Sequence, residues 1–206
     1  MELKNYVDII QALSVATASI VAVFGISSWR REAKWKRKYE LAEEVLSCFY
    51  DVSERFEIIR NPAGYVGEGK TRKRNENESK EESEILDNAY VVIERFEKEK
   101  ASFVKLKSLK YRFMVLYGRE AGNPFDEIDT LKNRLFLASH ILGTRYWKDQ
   151  GRLNFTDEQF EKHLEGMRQQ EEIFWSSLED GDEFKESVNK TISKIESICR
   201  KIIERK

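Results

Sequence analysis

Proline is almost missing from this chain: two in 206 residues, beside ten glycines. Few helix breakers exclude a many-turned β architecture and favour long helices. Cysteine is as scarce. Cys48 and Cys199 match no metal-ligand spacing and give no disulfide framework, so both are expected as reduced thiols on helix faces. Neither sign of charge is in excess. Thirty-six basic side chains against 37 acidic leave a net charge of −1, which argues against a general nucleic-acid binder despite local basic patches. No nucleophile stands with a base and an orienting group, and no cofactor box is present, so no cofactor and no metal site are expected.

Charge itself is missing from Ile9 to Trp29, IIQALSVATASIVAVFGISSW. As an α-helix this run reaches roughly 30 Å, the thickness of a bilayer's hydrocarbon core. The next segment, RREAKWKRK, carries Arg30, Arg31, Lys34, Lys36, Arg37 and Lys38. A cleaved signal peptide places its cations before the apolar run, the reverse of this order. Cations beside a span stay cytoplasmic, so the N-terminus is expected outside and the remaining chain in the cytoplasm. Trp29 and Trp35 suit the headgroup zone, and each cation gains about 1 kcal/mol from anionic lipid. The expected partner is therefore the lipid bilayer, with residues 1–29 as tail and transmembrane helix and 30–206 as one cytoplasmic domain.

The polar and small residues of the span are ordered. At about 100° per residue, Gln11, Ser14, Ala18, Ala22 and Gly25 fall within one narrow arc, away from Ile9, Leu13, Ile20 and Phe24. Small residues let two helix backbones approach in lipid, and Gln or Ser can hydrogen-bond across the seam. This face is expected to drive homo-oligomerisation, and a ring of such helices could line a pore.

Beyond the anchor, about five helices are expected, two of them long, giving an all-α fold. From Glu32 to Arg60, Leu41, Val45, Phe49, Val52, Phe56 and Ile59 form one apolar stripe, on a helix with no decisive break from the span. A polar loop, 62–79, is expected to be flexible. Ser79 with Glu82 reads as a capping box opening a second helix to Tyr117. Asn123 reads as an N-cap with Pro124 at the first helical position, opening a third that runs to about Tyr146. Thr156 with Gln159 caps a fourth, onto which Phe155 staples against Phe160. Acidic residues Glu179, Asp180 and Asp182 with Gly181 break it, and a fifth runs from Glu183 to about Glu204 with a near-heptad seam from Phe184 to Ile202. The stripes Leu41–Ile59 and Phe184–Ile202 are expected to assist self-assembly or to dock a cytoplasmic protein.

Three chemical signals stand out. Gly64-Tyr-Val-Gly-Glu-Gly69-Lys70-Thr71 satisfies the phosphate-loop pattern, but a helical stripe precedes it where a strand is needed, and no strand-end aspartate follows to hold magnesium. It reads as a chance match. Arg134 and His140 stand six positions apart, where imidazole could move a proton and guanidinium could stabilise phosphate charge, although on a straight helix they point about 120° apart. His163, between Glu161 and Glu165, has neighbours that do not share its face, so it reads as a surface residue rather than a metal ligand.

The segments KWKRKYELAEEVLSCFYD, IIRNPAGYVGEGKTRKRNENES, YVVIERFEKEKASFVKLKSLKYRFM and NPFDEI resemble an uncharacterised family of bacterial proteins with an N-terminal membrane helix and a helical cytoplasmic domain. That resemblance implies a bacterial inner membrane. Arg134-Leu-Phe-Leu-Ala-Ser-His140 resembles the R-x(4–6)-H motif of the HEPN ribonuclease superfamily. With one N-terminal span, the layout is also similar to the membrane accessory proteins of type VI-B CRISPR systems, which implies a pore-forming, HEPN-like defence accessory with RNA binding or cleavage.

Overall fold

The computed structural model describes residues 2–150, 154–177 and 181–204. It is all-helical, with no strand among the described residues. Five helices carry it: α1 Glu2–Ile59, α2 Lys80–Tyr117, α3 Asn123–Ile141, α4 Asp157–Phe174 and α5 Glu183–Ile203.

The apolar run and the first stripe are one helix. No proline or glycine interrupts α1 between Gly25 and its end, so the hydrogen-bond ladder has no reason to break where the composition changes. An 18-residue window of α1 reaches a mean hydropathy of 1.8 with none of it buried, and among the described residues it is the one helix long and apolar enough to cross a membrane. Residues 10–38 are exposed, and burial starts at Leu41.

From Leu41 onward, α1 becomes the central strut of the bundle. α2 returns antiparallel beside it: the Tyr117 hydroxyl donates to the Lys38 carbonyl, while Arg95 donates to the Ile59 carbonyl at 3.3 Å. α5 is antiparallel to α1 on another side, with Phe184 at 5.3 Å from Phe56 and Glu196 accepting from Tyr50. α3 closes the core, its Phe125 edge-on to Phe49 at 4.9 Å. Phe49, Val52, Phe56, Phe113, Leu135 and Ile195 are almost fully buried. Truncating such a phenylalanine to alanine removes about 3–5 kcal/mol.

This packing corrects the expectation that the Leu41–Ile59 and Phe184–Ile202 stripes meet other molecules. Leu41, Val45, Val52 and Ile59 pack in the same core as Val188, Ile192, Ile195 and Cys199. The two stripes face the interior of one chain, and little of either is left for a partner. The cysteines are free and buried, and burial pushes the Cys199 thiol up to about 12.

Three helix ends differ in detail from the pattern, the first at α3, where Gly122 holds the N-cap position and Asn123 is already helical. Ser79 does cap α2, accepting from the Glu82 amide at 3.1 Å, but the Glu82 carboxylate takes Lys148 at 2.8 Å instead of closing the box. At Thr156 the box is complete. α3 stops at Ile141, and Leu142–Tyr146 form a π-turn before a last short piece, Trp147–Asp149. The wider turn lets Gly143 press on Ala89, where a Cβ would come within 2.6 Å of that residue's own Cβ. Of the acidic break before α5, Glu179 and Asp180 lie outside the described residues, and Asp182 is the N-cap of α5.

Candidate membrane-packing face and motif sites

Helix periodicity carries the small-residue face of the apolar run into the domain. Eighteen residues make about five full turns, so positions 18 or 36 apart on one straight helix share a direction. Ala22 and Gly25 therefore align with Glu40 and Glu43. Gln11, Ser14 and Ala18 align with Ser47, Tyr50 and Glu54. All of these positions are exposed. The buried positions Val45, Phe49, Val52 and Phe56 lie on the opposite side of the helix. The folded domain thus hangs from the back of α1, and the arc marked by Gln11, Ser14, Ala18, Ala22 and Gly25 stays exposed as far as Ser47, beyond which Tyr50 is engaged by Glu196 of α5.

The cationic collar follows the same geometry. Arg30, Arg31, Lys34, Arg37 and Lys38 all point about 100° or more from the centre of that arc. Lys36 alone among them lies on it, aligned with Ala18, one turn from Glu32 and from Glu40, whose carboxylate is 3.9 Å away. Trp29 also falls on the arc and is 67% exposed, whereas Trp35 turns aside and stacks near Tyr39 at 5.3 Å. Within the apolar run, Ser14, Thr17, Ser19 and Ser27 donate their hydroxyls to backbone carbonyls three or four residues back. Those polar groups are satisfied without water. Gln11 has no such bond and sits on the arc.

The phosphate-loop match resolves into an internal cap. The Gly69 amide and the Thr71 hydroxyl both donate to Oε2 of Glu94, at 2.9 and 2.7 Å. A buried carboxylate of the same chain thus takes two donors that a phosphate would need. Gly64 packs near Glu68 and Arg95, and Lys70 is exposed. Burial pushes the Glu94 carboxyl up, yet hydrogen bonds from Thr71, Lys98 and the Gly69 amide outweigh it, and the net value lies below the ordinary one. Helix α1 precedes this loop and turns follow it, so no strand delivers it.

Charged side chains brace the loop. Arg95 donates to the Ala63 carbonyl at 2.9 Å and to Glu68 at 2.6 Å, and Arg72 bridges Glu78 and Asp87. Arg95, Glu94 and Asp87 are all buried. The sequence showed their charge and not their partners, which lie 23 to 34 positions away in the loop for Glu94 and Arg95.

Arg134 and His140 are both exposed on α3, separated by the core residues Leu135 and Ala138. No hydrogen bond joins their side chains, and the structure does not bring them to one point. His163 departs from expectation. It is 8% exposed, covered by Phe155 at 5.0 Å and Tyr146 at 5.2 Å, and its Nε2 has no partner. Gly166 is what admits the Tyr146 phenol, since a Cβ there would overlap it. The staple residue Phe155 reaches past Phe160, at 6.4 Å, to cover the histidine as well.

Arg60 was not legible as a functional residue. Two per cent exposed, it forms a bidentate pair with Asp182 and donates to the carbonyls of Glu172, Ile173 and Trp175 at the end of α4.

Comparison with protein-family models, with curated proteins and with solved structures finds no match to this chain.

Proposed function

We propose that the chain is a single-pass, membrane-anchored helical protein that acts by self-association or partner docking rather than by catalysis. The span occupies the bacterial inner membrane, with the N-terminus outside and residues 30–206 in the cytoplasm. The observation that carries this reading is the exposed face of α1 from Gln11 to Ser47. Its small residues and Gln11 are arranged for close approach in lipid, the domain lies on the far side, and five of the six collar cations point away. Two copies in parallel can therefore approach along the span through this face. The order of apolar run and cations supports the orientation.

Two experiments test it. Full-length protein is expected in the membrane fraction, and its recovery as a monodisperse soluble species without detergent would overturn the anchor. Ala18→Leu with Ala22→Leu should shift the detergent-solubilised protein toward monomer, and an unchanged mass distribution argues against the seam.

A second reading is an oligomeric, HEPN-like defence accessory that forms a pore or acts on RNA. The exposure of both Arg134 and His140 in an all-helical domain favours it. It requires RNA cleavage that disappears in Arg134→Ala and His140→Ala, or depolarisation on overexpression that the double leucine variant removes.

A further inference from the structure

The connection from Arg60 to Ser79 is longer than the roughly 12–15 residues that helix connections seldom exceed without a function or disorder of their own. This one is heavily braced. Three charged side chains of α2, Asp87, Glu94 and Arg95, are buried to hold it, at a desolvation cost that a plain linker does not require. Gly69 takes φ +79 so that its backbone can lie against the Asp87 carbonyl, leaving no room for a Cβ. The braced loop presents a tip on which Tyr65 is 83% exposed and Val66 is wholly exposed. An ordered loop that offers an aromatic and a branched aliphatic side chain has the make-up of a binding anchor with little entropy left to lose.

Behind the tip lies an open cleft of about 1130 Å³, between the loop, the first half of α2, and the indoles of Trp147 and Trp175. Of its four carboxylates, Glu68, Glu78 and Asp87 are engaged by Arg95, Arg72 and Arg74, while Glu84 forms no ion pair among the described residues. Lys70 and Lys80 also line it, and neither forms an ion pair among the described residues. The cleft therefore offers two unpaired cations, Lys70 apart from any free carboxylate and Lys80 one turn from Glu84, beside aromatic walls and with no continuous basic track of the kind a phosphate backbone needs.

We propose that this cleft and the Tyr65–Val66 tip form the docking site for an acidic segment of a partner protein, deepening the docking reading above and resting on it. The segment sets an apolar side chain against Tyr65 and Val66 and directs carboxylates to Lys70 and Lys80. The site lies at the end of the domain where α1 finishes, far from the collar, so a partner can reach it from the aqueous side.

The test uses full-length protein in nanodiscs, with synthetic acidic, neutral and basic peptides of equal length, each carrying one Leu-Phe pair. Acidic peptides should bind. Tyr65→Ser with Val66→Ser, and separately Lys70→Glu, should weaken binding about tenfold or more. Val104→Ser, on an exposed position elsewhere on α2, should leave it unchanged. The tip residues bury nothing, so their variants keep the fold. Equal binding of acidic and basic peptides, binding of none, indifference to the loop variants, or tighter binding of oligouridine overturns the proposal. Failure to enter nanodiscs would instead count against the anchor, and peptide binding in free solution would still judge the cleft.

Discussion

Arg60 and Asp182, 122 positions apart in sequence, meet in a bidentate ion pair at 3.0 and 3.1 Å that the fold buries almost completely. The pair ties the end of α1 to the start of α5. The same guanidinium ends α4 by taking its last carbonyls, and lies 4.2 Å from the centre of the Phe184 ring.

Removing one partner strands the other. Arg60→Ala is expected to cost about 3–5 kcal/mol, because Asp182 loses its counterion without gaining water. Replacing both, Arg60→Met with Asp182→Asn, should not restore wild-type stability, since three carbonyls stay unpaired. Chemical denaturation of the two variants checks this. A loss below 1 kcal/mol for Arg60→Ala would show that the pair is solvated in solution.

Acid should loosen the loop before the core. The Arg72 guanidinium, with the Asn75 amide and Ser83, holds the Glu78 carboxyl down from its ordinary 4.5 to about 2. The Arg95 guanidinium and the Tyr65 amide lower Glu68 in the same direction, against a smaller opposing effect of burial. A depressed folded value means the contribution is complete above the unfolded pKa and is lost as pH falls through the folded one. The loop should therefore keep its order at pH 5 and lose it between about pH 4 and 2, measured by amide exchange at Tyr65 and Gly69 against Val52. Loosening that begins near pH 6 would assign the effect to some other group.

Two loop glycines separate strain from space. Gly67 has φ +95 and open surroundings, so Gly67→Ala should cost about 1 kcal/mol from backbone strain alone. Gly69→Ala adds overlap with the Asp87 carbonyl and should cost about 2 kcal/mol or more. Paired thermal melts give the comparison. Equal losses would mean that the loop does not rest on α2.

Helix α1 and the core stripes were legible because periodicity and the lack of breakers act locally. The capping residues Ser79 and Thr156 were legible for the same reason, and Pro124 marked the start of α3. What escaped was set by pairing across the chain. Glu82 met Lys148 from a remote helix in place of its own cap, and His163 was buried by Phe155 and Tyr146 rather than by residues of its own face. The phosphate-loop glycine was real as a conformational requirement, but its donors serve Glu94, which no motif contains. The apolar stripes were identified correctly as faces and assigned to the wrong partner, since amphipathicity does not say whether the covering surface is one's own.

The position of Lys36 gives the sharpest test of self-association. Lys36 is the collar cation on the face shared with Ala18, flanked by Glu32 and Glu40, so in a parallel pair it can meet a carboxylate of the second copy. Lys36→Glu would put three carboxylates in succession on that face of each chain, repelling across the seam. Arg37→Glu makes the same change of charge about 100° away, where the second copy does not reach. Both variants weaken the collar equally, so any loss of lipid attraction or orientation is common to them. Lys36→Glu should therefore lower the oligomer fraction in nanodiscs or detergent well below that of Arg37→Glu, read by cross-linking or mass photometry at matched expression. Lys36→Arg should behave like wild type. If the two glutamate variants associate equally, the second copy does not lie on this face of α1, and the seam through Ala18 and Ala22 loses its support.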